Sequence, residues 1–203
     1  GQACPRLLAA MRYGVLSPGK RVRPLLAILT ALDFDCDPQE LLDFACALEL
    51  VHCASLILDD LPCMDDARVR RGRNAVHREF DEATATLAAV GLLNQAFGIV
   101  AGCDALEISF RNELIQRLST AVGTSGLVSG QSRDLNDRRS ALNHAAVERI
   151  NHQKTAILFE LAVVAGGRYA GVAGARIEAL NRFAGHVGLA FQAADDLLDS
   201  RAH

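Results

Sequence analysis

Tryptophan is absent from this 203-residue sequence, and only two tyrosines accompany its eight phenylalanines. The apolar half of the composition rests instead on alanine and leucine, which favour close-packed helices over strands. A basic excess is missing too. The 21 Lys and Arg against 24 Asp and Glu leave a net charge of −3, which argues against nucleic acid as a partner. No uncharged apolar run reads as long enough to span a bilayer, and no secretory signal pattern is read at the start. The six cysteines (Cys4, Cys36, Cys46, Cys53, Cys63 and Cys103) include no Cys-x-x-Cys pair, which argues against zinc and for reduced thiols in a cytosolic compartment. Linkers, low-complexity stretches and internal repeats are also lacking. The length suits one well-filled domain, residues 1–203. The start, Gly1-Gln2-Ala3-Cys4, reads as trimmed. The end, Asp199-Ser200-Arg201-Ala202-His203, carries no helix stop signal, so missing C-terminal helices are expected.

What is present is helical periodicity, interrupted by short Gly, Pro and Asp punctuation. Ser17-Pro18-Gly19 breaks the chain, and Pro24 suits the first turn of a helix carrying Leu25, Leu26, Ile28 and Leu29. Asp37-Pro38 opens a long helix through about Asp60, which Pro62 ends. A polar, Arg-rich segment runs from Asp65 to His77. Further helices are predicted near 82–101, 104–118, 119–134, 144–166 and 174–200. Gly126 and Gly130, four apart, would let two helix axes approach closely. Nothing alternates with period two for long enough to make a sheet, so the fold class is all-α, a large helical bundle.

Two aspartate clusters stand far apart. The first is Asp59-Asp60-Leu61-Pro62-Cys63-Met64-Asp65-Asp66 and the second Asp195-Asp196-Leu197-Leu198-Asp199. Asp195 and Asp199 are four apart and share a helix face with Gln192. Carboxylates gathered at a helix end repel one another and the negative end of the helix dipole, so something positive should offset them. Oxygen-only donors point to a hard cation, and Mg²⁺ bound jointly by carboxylates and substrate phosphates fits best. The bland alternative, a solvated acidic helix end, weakens when two such clusters are flanked by apolar residues. The cations point the same way. Lys20 and Arg23 sit around a helix start, where free N–H groups favour anions. Arg68, Arg70 and Arg71 follow the first cluster, and the arginine fork suits phosphate. Lys154-Thr155 lies among Ile150, Ile157, Leu158 and Leu161, a costly place for an ammonium without an anion. Singly, each is more often a surface residue than a ligand; together they describe a site for metal-bridged diphosphates. His52, two helical turns before Asp59, shares its face, although a lone helical His is usually structural.

The ordered set of motifs resembles the trans-prenyl diphosphate synthases. Ser55 to Asp66 followed by Arg70-Arg71-Gly72 looks like their first aspartate-rich motif, and Phe191 to Asp199 like their second. Gly19-Lys20-x-x-Arg23-Pro24, Gly130-Gln131-x-x-Asp134-Leu135 and Lys154-Thr155 fall in the family order. The spacing of four residues between the Asp pair and the third Asp, with Pro-Cys-Met, is most similar to geranylgeranyl diphosphate synthases of bacterial carotenoid pathways. The resemblance implies an isoprenoid-synthase bundle with a central substrate cavity, in a cytoplasmic, Mg²⁺-dependent homodimer. It further implies that Lys20, Arg23, His52 and Arg71 bind isopentenyl diphosphate. Arg70, Lys154, Thr155 and Gln192 would support the allylic diphosphate, with Asp134 near its metal shell. Asp59, Asp65 and Asp195 would be the main metal ligands, assisted by Asp60, Asp196 and Asp199. Asp59, Asp60, Asp195, Lys154 and Arg70 would carry the chemistry, and small residues at Ala54 and Ser55 would leave room for a long prenyl tail. The family's basic loop beyond the second motif has no counterpart after Asp199. The rivals are a farnesyl or longer-chain synthase, a non-catalytic family subunit, and a terpene cyclase. The cyclase would need neither the Gly19-Lys20-x-x-Arg23 anchor nor a second Asp-Asp-x-x-Asp triplet.

Overall fold

A computed structural model of the chain describes residues 4–137 and 143–201, and among these almost everything is helix. Pro5 starts α1 (Pro5–Val15), where its missing N–H costs nothing. Then come α2 (Val22–Asp33), a 3₁₀ turn (Pro38–Leu41) and α3 (Leu42–Asp59). The 3₁₀ turn is capped by Asp37, whose carboxylate accepts from Gln39 N–H at 3.0 Å. A minimal antiparallel hairpin, β1 (Val69–Arg70) and β2 (Arg73–Asn74), pairs Val69 with Asn74 and Arg70 with Arg73. Its two turn residues, Arg71 and Gly72, both have positive φ, the geometry that matches the twist of a two-residue hairpin. Next are α4 (Val76–Glu79), α5 (Glu82–Ala101), α6 (Ile108–Val122), α7 (Leu127–Asp137) and α8 (His144–Asn151). A π-helical turn (His152–Ala156) leads into α9 (Ile157–Tyr169), and α10 (Gly174–Arg201) follows.

The all-α expectation holds, with local differences. The helix expected over 144–166 is interrupted by the π turn, and α1 precedes the first helix read from the sequence. The boundary expected near 118 falls inside α6. Thr120 there bonds back to the Gln116 carbonyl at 3.0 Å instead of opening a new helix, and α6 runs on to Gly123. Gly130 does permit a close approach, since a Cβ there would lie 2.7 Å from the Gln153 side chain; one on Gly126 would meet the Ala121 carbonyl within its own turn. The expectation of no membrane-length apolar helix needs correction. Pro38–Asp59 (22 residues) and Glu82–Ala101 (20 residues) are both long and apolar enough by length and composition. Scattered Thr, Asn, Gln, Glu and His mask this in the sequence. The first of them is a core helix, with Phe44, Leu48, Val51 and Ile57 all buried.

The chain divides into two compact units. The first comprises Gly1–Val22 and Asp43–Cys103, the second Arg23–Leu42 and Asp104–His203. In the first unit, Ala10, Cys53, Ala54, Ile57, Ala85, Ala88, Ala89 and Leu92 form a core in which alanine predominates. In the second, α9 is buried along most of its length, from Leu158 to Gly167. A Cβ on Gly166 would stand 2.3 Å from the Ala27 carbonyl, so α2 and α9 cross backbone to backbone.

Asp81 caps α5. Its carboxyl is held at about 2 by the Thr84 N–H, then by Arg6 and the Thr84 hydroxyl. A depressed carboxylate contributes stability that is full above its unfolded value of about 4 and lost as pH falls towards about 2. Asp81→Asn keeps a capping acceptor but does not titrate. Urea midpoints measured between about pH 5 and about pH 2 should therefore fall less steeply for the variant than for the wild type. Parallel slopes would refute the assignment.

Candidate active site

The first aspartate cluster is built by the way α3 ends. Pro62 cannot continue the helix, and the chain turns back on itself through residues 60–67. Asp65 N–H donates to the Asp59 carbonyl at 2.9 Å, Asp66 N–H to Leu61 at 3.1 Å and Ala67 N–H to Asp60 at 3.2 Å. The turn returns Asp65 to the end of α3 beside Asp59, which is half-buried, while Asp65 is exposed. Asp60 points elsewhere. It is buried, and one of its oxygens accepts from both Arg70 Nε, at 2.9 Å, and Arg70 Nη2. Burial pushes the Asp60 carboxyl up, and the Arg70 hydrogen bond and charge pull it back only in part. For Arg70, burial acts to lower the pKa, but the hydrogen bond to Asp60 and the charges of Asp60, Asp59 and Asp65 raise it above its usual value.

On the other side of the hairpin, Arg71 Nη2 lies 3.3 Å from His52 Nε2. A Cβ on Gly19 would stand 2.7 Å from the guanidinium nitrogens of both Arg21 and Arg71, so that glycine is what lets two cations border the loop before α2. Lys20 is exposed on this loop. Two residues passed over in the sequence hold the arrangement together. Arg21 donates to Glu49 at 2.6 Å and to the Val15 and Ser17 carbonyls at 2.6 and 2.7 Å, and Glu49 is buried. The signal was available: Glu49 is an acid between Leu48 and Leu50 on the helix turn preceding His52. Tyr13, Ser17, Asp60, Arg70, Arg71 and Asn74 line a narrow cleft here. Ala54 is fully buried in the alanine-rich core, and half-buried Ser55 donates to the His52 carbonyl at 2.9 Å.

Arg23 belongs to the second unit, where it is buried with its guanidinium 4.7 Å from the centre of the Phe159 ring. That unit also gathers most of the expected allylic set. Lys154 Nζ donates to Asp134 of α7 at 2.8 Å, and Thr155 Oγ1 to Gln192 of α10 at 2.6 Å. Asp195 follows Gln192 on the same helix and is half-buried. Asp196 and Asp199 continue α10, but their side chains lie outside the described residues.

Among the described residues, no three His, Cys, Asp or Glu side chains converge as a ready-made metal cage. The donors at Asp59 and Asp65 are carboxylates alone, one of them solvent-facing. This fits Mg²⁺, which keeps several waters and is held by one or two carboxylates together with substrate phosphates.

Residues 4–203 match the polyprenyl synthetase family. The chain belongs to that family. A geranylgeranyl diphosphate synthase of Pantoea ananas is 47% identical over 193 residues, covering 94% of this chain and 64% of the relative. An FPP/GFPP synthase from Zymomonas mobilis superposes with a TM-score of 0.91 at 39% identity, covering 96% of this chain and 71% of that one. A geranyltransferase from Helicobacter pylori, complexed with magnesium and isoprenyl diphosphate, gives a TM-score of 0.90 at 32% identity over 98% of this chain and 68% of that one. The fold of this family member is therefore the all-α isoprenoid-synthase fold. The chain spans just under two thirds of the length of the Pantoea relative.

Replacing Arg70 leaves the Asp60 side chain, 3% exposed, without its cation. Arg70→Ala should cost about 1–3 kcal/mol, less than a fully dry pair would lose, because the arginine side is partly solvated. Asp60→Asn added to Arg70→Ala should recover part of that loss in urea unfolding. A double variant as unstable as the sum of the singles would contradict the pairing.

Proposed function

We propose that this protein is a Mg²⁺-dependent prenyltransferase that condenses isopentenyl diphosphate with an allylic diphosphate to give geranylgeranyl diphosphate. The observation that carries the reading is the pair of contacts joining Lys154 to Asp134 and Thr155 to Gln192, on the helix that continues into Asp195. A cation and a hydroxyl are thereby held beside a carboxylate motif in a chain 47% identical to a geranylgeranyl diphosphate synthase. Both units are proposed to belong to one catalytic domain.

In this reading Asp59, Asp65 and Asp195 hold Mg²⁺, with Asp60, Asp196 and Asp199 in support. The bound metal supplies charge stabilisation to the departing diphosphate. Arg70, Lys154, Thr155 and Gln192 orient the allylic diphosphate and stabilise the charge that develops as its C–O bond breaks. Lys20, Arg23, His52 and Arg71 hold isopentenyl diphosphate, whose double bond attacks the allylic cation. The proton it loses passes to the released pyrophosphate, so no protein nucleophile takes part. Apolar helix faces exclude the water that would trap the cation. A cytoplasmic homodimer serving carotenoid synthesis completes the proposal. The six free thiols and the exposed Leu87 and Val90 of α5 support it.

The reading is tested on the full-length protein, incubated with isopentenyl diphosphate and each allylic primer. Activity should vanish with chelator and return with Mg²⁺ or Mn²⁺. Asp59→Asn should cut kcat by roughly 10²-fold or more with helical circular dichroism unchanged. Activity surviving chelation, or returning only with zinc, ends the proposal.

Product length rests on Ala54. It lies five residues before Asp59, and one helical turn of about 5.4 Å is comparable to one isoprene unit. Ala54→Tyr should therefore shorten the main product to farnesyl diphosphate. Ala54 is also tightly packed, so the thermal midpoint must be measured alongside dephosphorylated products. A stable variant with an unchanged product would rule out this position as the chain-length determinant.

A further inference from the structure

The turn His152–Ala156 is π-helical, so it accommodates an extra residue relative to α winding. Lys154 and Thr155 lie within it and reach different helices, α7 through Asp134 and α10 through Gln192. One residue corresponds to about 100° of rotation in an α-helix. Rewinding this turn as α-helix would therefore swing one contact away while the other was kept. Two glycines seat the turn. A Cβ on Gly188 would stand 2.5 Å from Ala156 Cα, and one on Gly130 would stand 2.8 Å from Lys154 N. These close approaches fit the wound backbone but do not tie its two ends.

His152 and Glu160 do. The first residue of the turn meets α9 with His152 Nε2 2.8 Å from Glu160 Oε1. A regular α-helix places residues eight apart about 12 Å apart along its axis, well beyond the usual i,i+4 pair. Space is reserved for the carboxylate, since a Cβ on Gly185 of α10 would stand 2.6 Å from the same Glu160 oxygen. The hydrogen bond from Glu160, opposed by burial and aided by its charge, raises the His152 pKa, consistent with a charged pair. We infer that His152 and Glu160 form a clasp that fixes the winding of residues 152–156 and thereby positions Lys154 and Thr155 for the allylic diphosphate. The clasp stands on the geometry alone; its link to the allylic substrate rests on the proposed function.

Three variants of the full-length protein test it. His152→Ala opens the clasp, and His152→Gln restores a donor to Glu160. Arg168→Ala breaks another α9 ion pair, to Glu113, away from the turn. Amide exchange over 152–157 should accelerate in His152→Ala by about tenfold or more and return towards wild type in His152→Gln. The allylic KM should rise about tenfold in His152→Ala, with the isopentenyl diphosphate KM within about twofold of wild type. Arg168→Ala should change neither reading. Unchanged exchange at 152–157, or the same acceleration in Arg168→Ala, overturns the clasp. Equal KM changes for both substrates overturn its positioning role. A wild-type protein that turns over neither substrate fails the proposed function, and the exchange data then judge the clasp by themselves.

Discussion

Like charge concentrated where a helix dipole already points negative is the constraint that organises the first unit. Asp59 and Asp60 end α3, and the following turn brings back Asp65. Left alone, these groups repel one another and the carbonyls of the last turn. The hairpin answers by sending Arg70 back to Asp60, so one aspartate is neutralised inside the protein while Asp59 and Asp65 keep their charge towards solvent. The division of labour follows from burial: the most buried carboxylate takes the permanent cation, and the accessible ones remain for a transient one. In the second unit, Lys154 and Asp134 form the corresponding permanent pair, each partly exposed.

Much of this was legible in the sequence because charge in an apolar context is costly and therefore informative. Asp59 and Asp60 after Ile57-Leu58, and Lys154 before Ile157-Leu158, announce themselves in that way. The structure places Lys154, Thr155, Gln192 and Asp134 together, and His52 beside Arg71. Geometry that leaves periodicity intact was not legible. The π turn at His152–Ala156 adds a residue without disturbing the run of apolar positions on either side, so a continuous helix was expected. The internal partners were hidden for another reason. Arg21 stands between Lys20 and Arg23 and looks like one more exposed cation, yet its guanidinium is spent on Glu49 and two carbonyls. Arg23 gave no sign that it would be buried over Phe159.

The packing solution matches the composition. With no tryptophan, the helices gain contact by coming close, through alanine in the first unit and through Gly166 and Gly188 in the second. Such interfaces are intolerant, because even a methyl group at Gly166 would meet backbone atoms that have no rotamer to change.

Arg21, Asp66 and Arg71 hold left-handed backbone with φ of 50°, 47° and 54°. Each pays about 1 kcal/mol or more for a conformation that glycine adopts freely. Two of the three flank Gly19 with their side chains, so the backbone and the side chain at these positions make opposite demands. A population of variants filtered for folding alone would drift towards glycine at 21 and 71, becoming sturdier as it lost the guanidinium groups. Adding selection for anion binding would keep arginine there at the expense of stability. The two pressures would thus leave opposite residue preferences at the same two sites.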